Sequence, residues 1–228
     1  MNCEFNKNCK LKNSEYCNEF CERYVKLNYL FNASLIPEKA LKPTSLYIDS
    51  DGCDREAFGY LKSIQDNIVD CVDDGINLYL YSSTPGNGKT SWGLRLLKSY
   101  IYSVWHTSNL EPRAMFINVP RYLLELKANI SEKSEYIEHI KNHIMDCDLI
   151  IWDDIATKSA TEFEHEHLLS MIDYRLYTKK SNIFTSNILP NDLDEMLGSR
   201  LASRIINESR LIQFNGKDKR GLEWKIQN

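Results

Sequence analysis

Five short apolar runs alternate along the chain with longer stretches in which apolar residues recur every three or four positions. The runs, at 76–81, 114–119, 149–152, 182–185 and 211–214, are too short for helices and rich in β-formers, so they read as strands. The run at 149–152 has four consecutive apolar residues, the pattern of a parallel strand buried on both faces. Helical spacing appears between them. Phe20, Tyr24, Leu27 and Leu30 or Phe31 predict a first helix, and Phe58, Leu61, Ile64, Ile68 and Val69 predict one helix over 54–72. Further helices are expected from residue 89 to about His106, from Pro120 through Tyr122, Leu123 and Leu126, over 132–145, and through Leu168, Leu169, Ile172 and Leu176. Strands alternating with helices predict a three-layer α/β domain with a mainly parallel five-stranded sheet. Pro37, Pro43 and the turn cluster at 49–52 divide the chain into a small module at 1–45 and the main domain at 46–228.

The chemistry concentrates where strands end. Between the first strand and its helix lies Ser83-Thr84-Pro85-Gly86-Asn87-Gly88-Lys89-Thr90, followed by Ser91. Glycines there let backbone N–H groups curl around phosphate oxygens, Lys89 reaches the outer phosphates, and the Thr90 hydroxyl can ligate Mg²⁺. The helix N-terminus adds its positive end. Leu149-Ile150-Ile151-Trp152-Asp153-Asp154 is an apolar strand ending in two carboxylates, a Walker B pattern. Asp153 would hold Mg²⁺ and Asp154 would orient the attacking water. Asn187, at the tip of the fourth strand, is placed to meet the γ-phosphate or that water. Arg200 and Arg204 lie four apart on one helix face, as anion contacts or as surface salt bridges. His165-Glu166-His167 is not a zinc-protease motif, because position 169 is Leu; both histidines are expected on the exposed start of a helix.

Composition narrows the field. The 228 residues carry a formal charge of −4, which excludes coating of nucleic acid by bulk charge, and polynucleotide contact must therefore be local. Arg121, Lys127, Lys133 and Lys141 fall on the helices at 119–145, either as phosphate contacts or as a solvated face paired with nearby glutamates. Tyr122 would be a stacking partner if it faces outward. No run is long enough to span a bilayer and the N-terminus is polar, so a cytoplasmic protein is expected. Seven cysteines fit reduced thiols. Four of them, Cys3, Cys9, Cys17 and Cys21, are clustered, and their loose spacing leaves a four-thiolate Zn²⁺ site and plain surface thiols both open.

Taken in order, the phosphate loop, Leu149–Ile155, Phe184–Asn187 and Ser199–Ile205 resemble the AAA+ P-loop ATPases of the helicase-loader group, the DnaC/DnaI type with its phage versions, over roughly residues 45–221. The resemblance implies strand order 5-1-4-3-2, no helical lid, and ATP/ADP with Mg²⁺ as ligands. It makes Asn187 sensor 1, Arg204 the arginine finger acting on a neighbouring subunit with Arg200 its companion, and Arg220 a sensor 2 candidate. It implies an N-terminal helicase-binding module, an insert at 119–145 that contacts single-stranded DNA, and weak ATP turnover stimulated by partner or DNA. The expected function is ATP-dependent loading of a replicative helicase. An IstB-like transposition ATPase and a non-hydrolysing adaptor that sequesters the helicase stay open. Two positions depart from the pattern, Ser83 for Gly and Asp154 for Glu, and they bear on hydrolysis more than on nucleotide binding.

Overall fold

The structure, a computed structural model, describes residues 3, 9–41, 46, 52–129, 132–156 and 161–219. Its elements in order are α1 (Glu22–Ala33), α2 (Glu38–Leu41), α3 (Arg55–Asp66), α4 (Ile68–Asp73), β1 (Asn77–Tyr81), α5 (Lys89–Val104), β2 (Ala114–Asn118), α6 (Val119–Ala128), α7 (Glu135–His143), β3 (Leu149–Asp153), α8 (Glu162–Tyr177), β4 (Ser181–Ser186), α9 (Leu193–Glu208) and β5 (Ser209–Gln213). The five strands form one sheet of order β2-β3-β4-β1-β5. All four pairings are parallel. The expected order therefore holds, and the sheet is wholly rather than mainly parallel.

Alternation along each strand builds the three layers, because successive side chains point to opposite faces. Leu78, Leu80, Phe116, Ile151, Ile183 and Ile212 face a core shared with α1, α3, α4 and α5. Tyr79, Met115, Ile117, Ile150, Trp152 and Phe184 face the other core, under α6, α7, α8 and α9. Among the described residues no helix is long and apolar enough to cross a membrane.

Helix α1 buries Leu27, Leu30 and Phe31 in the first core, whereas Phe20, expected on the same stripe, is 82% exposed. Just past α1, the Ser34 carbonyl accepts the N–H of Phe116 on edge strand β2, at 2.9 Å. His139 of α7 donates to the Ala33 carbonyl at 2.7 Å. The single helix expected over 54–72 is two, broken at Asn67 (φ −120°), whose N–H is shared between the carbonyls of Ser63 and Ile64. Asparagine offers the backbone competing hydrogen bonds, and the break turns Val72 rather than Val69 into the core. At the sheet end remote from the phosphate loop, the fully buried Arg175 donates to the carbonyls of Ile144, Cys147 and Ser181, each 2.7–2.8 Å away. It spends its donors tying α8 to the loop before β3 and to the start of β4.

Candidate nucleotide site

The loop after β1 is shaped by its own polar groups. The buried Ser82 hydroxyl accepts the N–H of Thr84 (3.0 Å) and the side-chain amide of Asn87 (2.7 Å), which pins the turn at both ends. Gly86 (φ 74°) and Gly88 (φ 111°) take left-handed conformations that side chains resist. Gly88 is the N-cap of α5, so the helix begins at Lys89 with its N–H groups directed at the loop. Lys89 is buried, and its ammonium donates to the Thr84 carbonyl (3.3 Å) and the Asn87 side-chain oxygen (3.1 Å). Ser83 and Pro85 are exposed and Ser91 is half-buried in the first turn of α5.

Asp153 is where the neighbouring elements meet. Its Oδ1 accepts hydroxyl hydrogens from Thr90 (2.7 Å) and Thr185 (2.8 Å), and its Oδ2 accepts from the Asn118 amide (3.2 Å). One carboxylate thus joins α5 to the tips of β2, β3 and β4. Asp154 follows at φ 57°, and its N–H donates to Thr185 Oγ1 at 3.0 Å, so one threonine fixes both acids of the pair. Asn118 works in two directions: its side-chain oxygen caps α6 by accepting the N–H of Arg121. Neither Thr185 nor Asn118 was singled out in the sequence; a polar residue at the tip of each strand beside Walker B is the signal that would have found them. The oxygen donors of Thr90 and Asp153 suit a hard cation such as Mg²⁺, which draws few ligands from protein and the rest from water and phosphate.

Asn187 is exposed one residue beyond β4, and Ser186 lies in register with Tyr81, which sets Asn187 level with the entry to the loop. Arg204 pairs with Asp173 of α8 at 2.9 Å, and Arg200 with Glu166 at 3.9 Å. The two arginines line a groove of about 590 Å³ between α8 and α9, with Asp173, Tyr174, Tyr177 and Glu208. Arg220 lies outside the described residues.

On the helical insert, Tyr122 is fully buried, its hydroxyl 2.7 Å from His167 Nε2, so it is not an outward stacking residue: its position in the helical repeat puts it on the face that packs against α8. His167 is accordingly half-buried rather than exposed, its ring nearly parallel to Tyr122 and Phe163. His165 is half-buried too. The outward aromatic here is Phe163, 64% exposed. The capping box from Thr161 to Glu164 is the sequence signal that places Phe163 in the first turn of α8. Arg121 lies over the Tyr136 ring at 4.3 Å, Lys127 pairs with buried Glu164 at 3.1 Å, Lys141 with Glu138 at 3.3 Å, and Lys133 is exposed.

Among the described residues, which include Cys3, Cys9, Cys17 and Cys21, no group of three or more His, Cys, Asp or Glu is gathered to hold a metal. Cys3 and Cys9 are partly buried against the first core.

A phosphate loop after β1 and an apolar strand β3 ending in carboxylate, with β4 between them in a parallel α/β sheet and Thr90 bonded to Asp153, define a P-loop ATPase domain. Residues 61–208 match the family model of the bacterial DnaA ATPase domain, and the chain belongs to that family. Solved structures share the fold. The DnaC helicase loader is 19% identical with a TM-score of 0.58, covering 82% of this chain and 98% of that one. DnaI is 18% identical with a TM-score of 0.58, covering 78% and 94%. The replication initiator DnaA bound to AMPPCP and single-stranded DNA is 19% identical with a TM-score of 0.56, covering 76% of this chain and 49% of that one. The likeness to AAA+ loaders expected from the motifs thus holds for the fold. No curated protein matches the sequence.

Proposed function

We propose that this chain is an ATP-driven loader of a replicative DNA helicase onto single-stranded DNA. The observation that carries the reading is the Asp153 carboxylate held jointly by Thr90 of the loop helix and Thr185 beside it, the contact expected of a site built for Mg²⁺ and nucleotide. Lys89 and the loop N–H groups would hold the phosphates, Thr90 and Asp153 the Mg²⁺, which neutralises phosphate charge when bound. Asp154 and Asn187 would position the lytic water. Ser83, Pro85, Gly86, Asn87, Gly88 and Ser91 would complete the phosphate cradle, and Arg204, with Arg200, would act on the nucleotide of a neighbouring copy. The fold shared with the DnaC helicase loader over 98% of that chain supports the choice of partner. Exposed Phe163 and the cations Arg121, Lys127, Lys133 and Lys141 supply the stacking and charge that single strands need. Residues 1–45 would be the helicase-binding module, with Tyr16, Phe20, Val25 and Tyr29 as exposed apolar contacts.

The test is co-purification with a replicative helicase, run beside ATP hydrolysis with and without helicase and single-stranded DNA. Binding of the helicase together with stimulated turnover is the expected result. Lys89→Ala should weaken ATP binding roughly 10- to 100-fold, the ~1.5–3 kcal/mol of a charge-assisted hydrogen bond. Helicase binding without any turnover would make the chain a sequestering adaptor, and no helicase binding at all would remove the loader reading.

A further inference from the structure

Asp54 occupies the N-cap of α3, where an aspartate ordinarily accepts N–H groups of its own helix. Here the side chain makes no such bond. It is fully buried and turned toward the segment that follows β5: Oδ1 accepts the N–H of Asn215 at 2.7 Å and Oδ2 the N–H of Gly216 at 3.0 Å. Two charge-assisted bonds from one buried carboxylate are a strong anchor, and the positive end of α3 favours the charge.

The anchored segment then runs to the phosphate loop. Its Lys219 N–H donates to the Gly86 carbonyl at 3.0 Å. The Asp218 carboxylate lies against the Gly86 α-carbon so closely that a β-carbon there would sit 1.8 Å from Asp218 Oδ1. Nearer β5, the Phe214 carbonyl accepts from the buried Asn87 amide at 3.5 Å, and Phe58 of α3 packs on both Phe214 and Trp92 of α5. Gly86 is therefore glycine for two reasons, its left-handed backbone and the strap pressed against it.

We infer that residues 214–219 form an outer wall of the phosphate loop, with Asp54 as the positioning residue that holds the wall in place, so that loop and strap respond to phosphate binding as one unit. The inference rests on the nucleotide-binding reading above. Loop amides must be fixed in advance to grip phosphate without an ordering cost, and a loop whose apex is tied to an anchored strap has that order. In Asp54→Asn one anchoring oxygen becomes an NH₂ that faces a backbone N–H, and the strap loosens.

The experiment is titration of the full chain with a fluorescent ATP analogue in Mg²⁺, with amide hydrogen exchange on the same samples. The parent should bind, and nucleotide should slow exchange at Lys219 together with Gly86 and Asn87. Asp54→Asn should bind about tenfold more weakly and lose the nucleotide response at Lys219. Lys219→Pro deletes the strap-to-loop donor, together with the ammonium that lies 5.3 Å from the Phe58 ring, should weaken binding in the same direction, and carries the test if Asp54→Asn does not fold. A purely structural Asp54 would lower the melting temperature yet leave the Lys219 response and the affinity unchanged, and that result overturns the inference. A parent that binds no nucleotide overturns the functional reading itself.

Discussion

Replacing Thr185 with Val tests the central contact of the site. Valine matches threonine in shape but removes the hydroxyl that donates to Asp153 Oδ1 at 2.8 Å and accepts the Asp154 N–H at 3.0 Å. Thr185 is 2% exposed, so water cannot replace either bond freely. Leaving a buried N–H unpaired costs ~1–3 kcal/mol, and a bond to a charged acceptor contributes ~1.5–3 kcal/mol. Asp153 keeps Thr90 and Asn118, so part of the second loss is recovered, and the total should be about 2–4 kcal/mol. Urea unfolding would read this as a lower midpoint at unchanged slope, and thermal unfolding as a fall of roughly 4–16 °C in Tm. Thr185→Ser is the control: it keeps the hydroxyl and loses one methyl, about 0.8 kcal/mol. If the Val and Ser variants are equally stable, the hydroxyl does not hold the two acids and the account of Asp153 as a shared hub is wrong.

Two other outcomes are expected. Lys89→Ala and Arg204→Ala, each inactive alone, should regain part of the ATPase activity when mixed, because one offers the finger and the other the nucleotide; a mixture as dead as its components, though assembled, would exclude action between subunits. His167, whose pKa burial and secondarily Lys141 hold below 6.5, takes up its proton in the unfolded chain first. The stability it contributes is present above pH 6.5 and is lost as pH falls from there through the folded-state pKa, so His167→Gln should show a shallower loss as pH falls below 6.5, and an unchanged slope would refute this assignment.

The phosphate loop and Walker B strand were legible because their chemistry is local: glycines, Lys89 and Thr90 act within a few residues of one another, and the Leu149–Asp153 run needs only its own composition. Strand order was not written in the periodicity and came through resemblance. What stayed hidden depends on contacts distant in sequence. Thr185 meets Asp153 across neighbouring strands, and Asp54 meets Asn215 from the opposite end of the domain. The condition on Tyr122, that it stack only if it faces outward, fails because the apolar stripe it shares with Leu123 and Leu126 packs inward, where its hydroxyl meets His167 of α8. The break at Asn67 was hidden by an apolar repeat that runs through it almost unperturbed. Phe20 fell out of its stripe because α1 begins only at Glu22.

An open β-sheet invites growth at its rims, since an unpaired row of N–H and C=O groups will accept another strand. Here the rims are unequal. On β2 the middle residue, Phe116, already gives its N–H to Ser34, and the chain leaving α1 lies along that side. Among the described residues no strand pairs with the outer side of β5, and there Arg210 stands as an exposed charge of the kind that discourages unplanned pairing. Edge-to-edge pairing of sheets is thereby disfavoured at both rims, and the exposed side chains of Arg200 and Arg204 stand on a helix face, away from either edge.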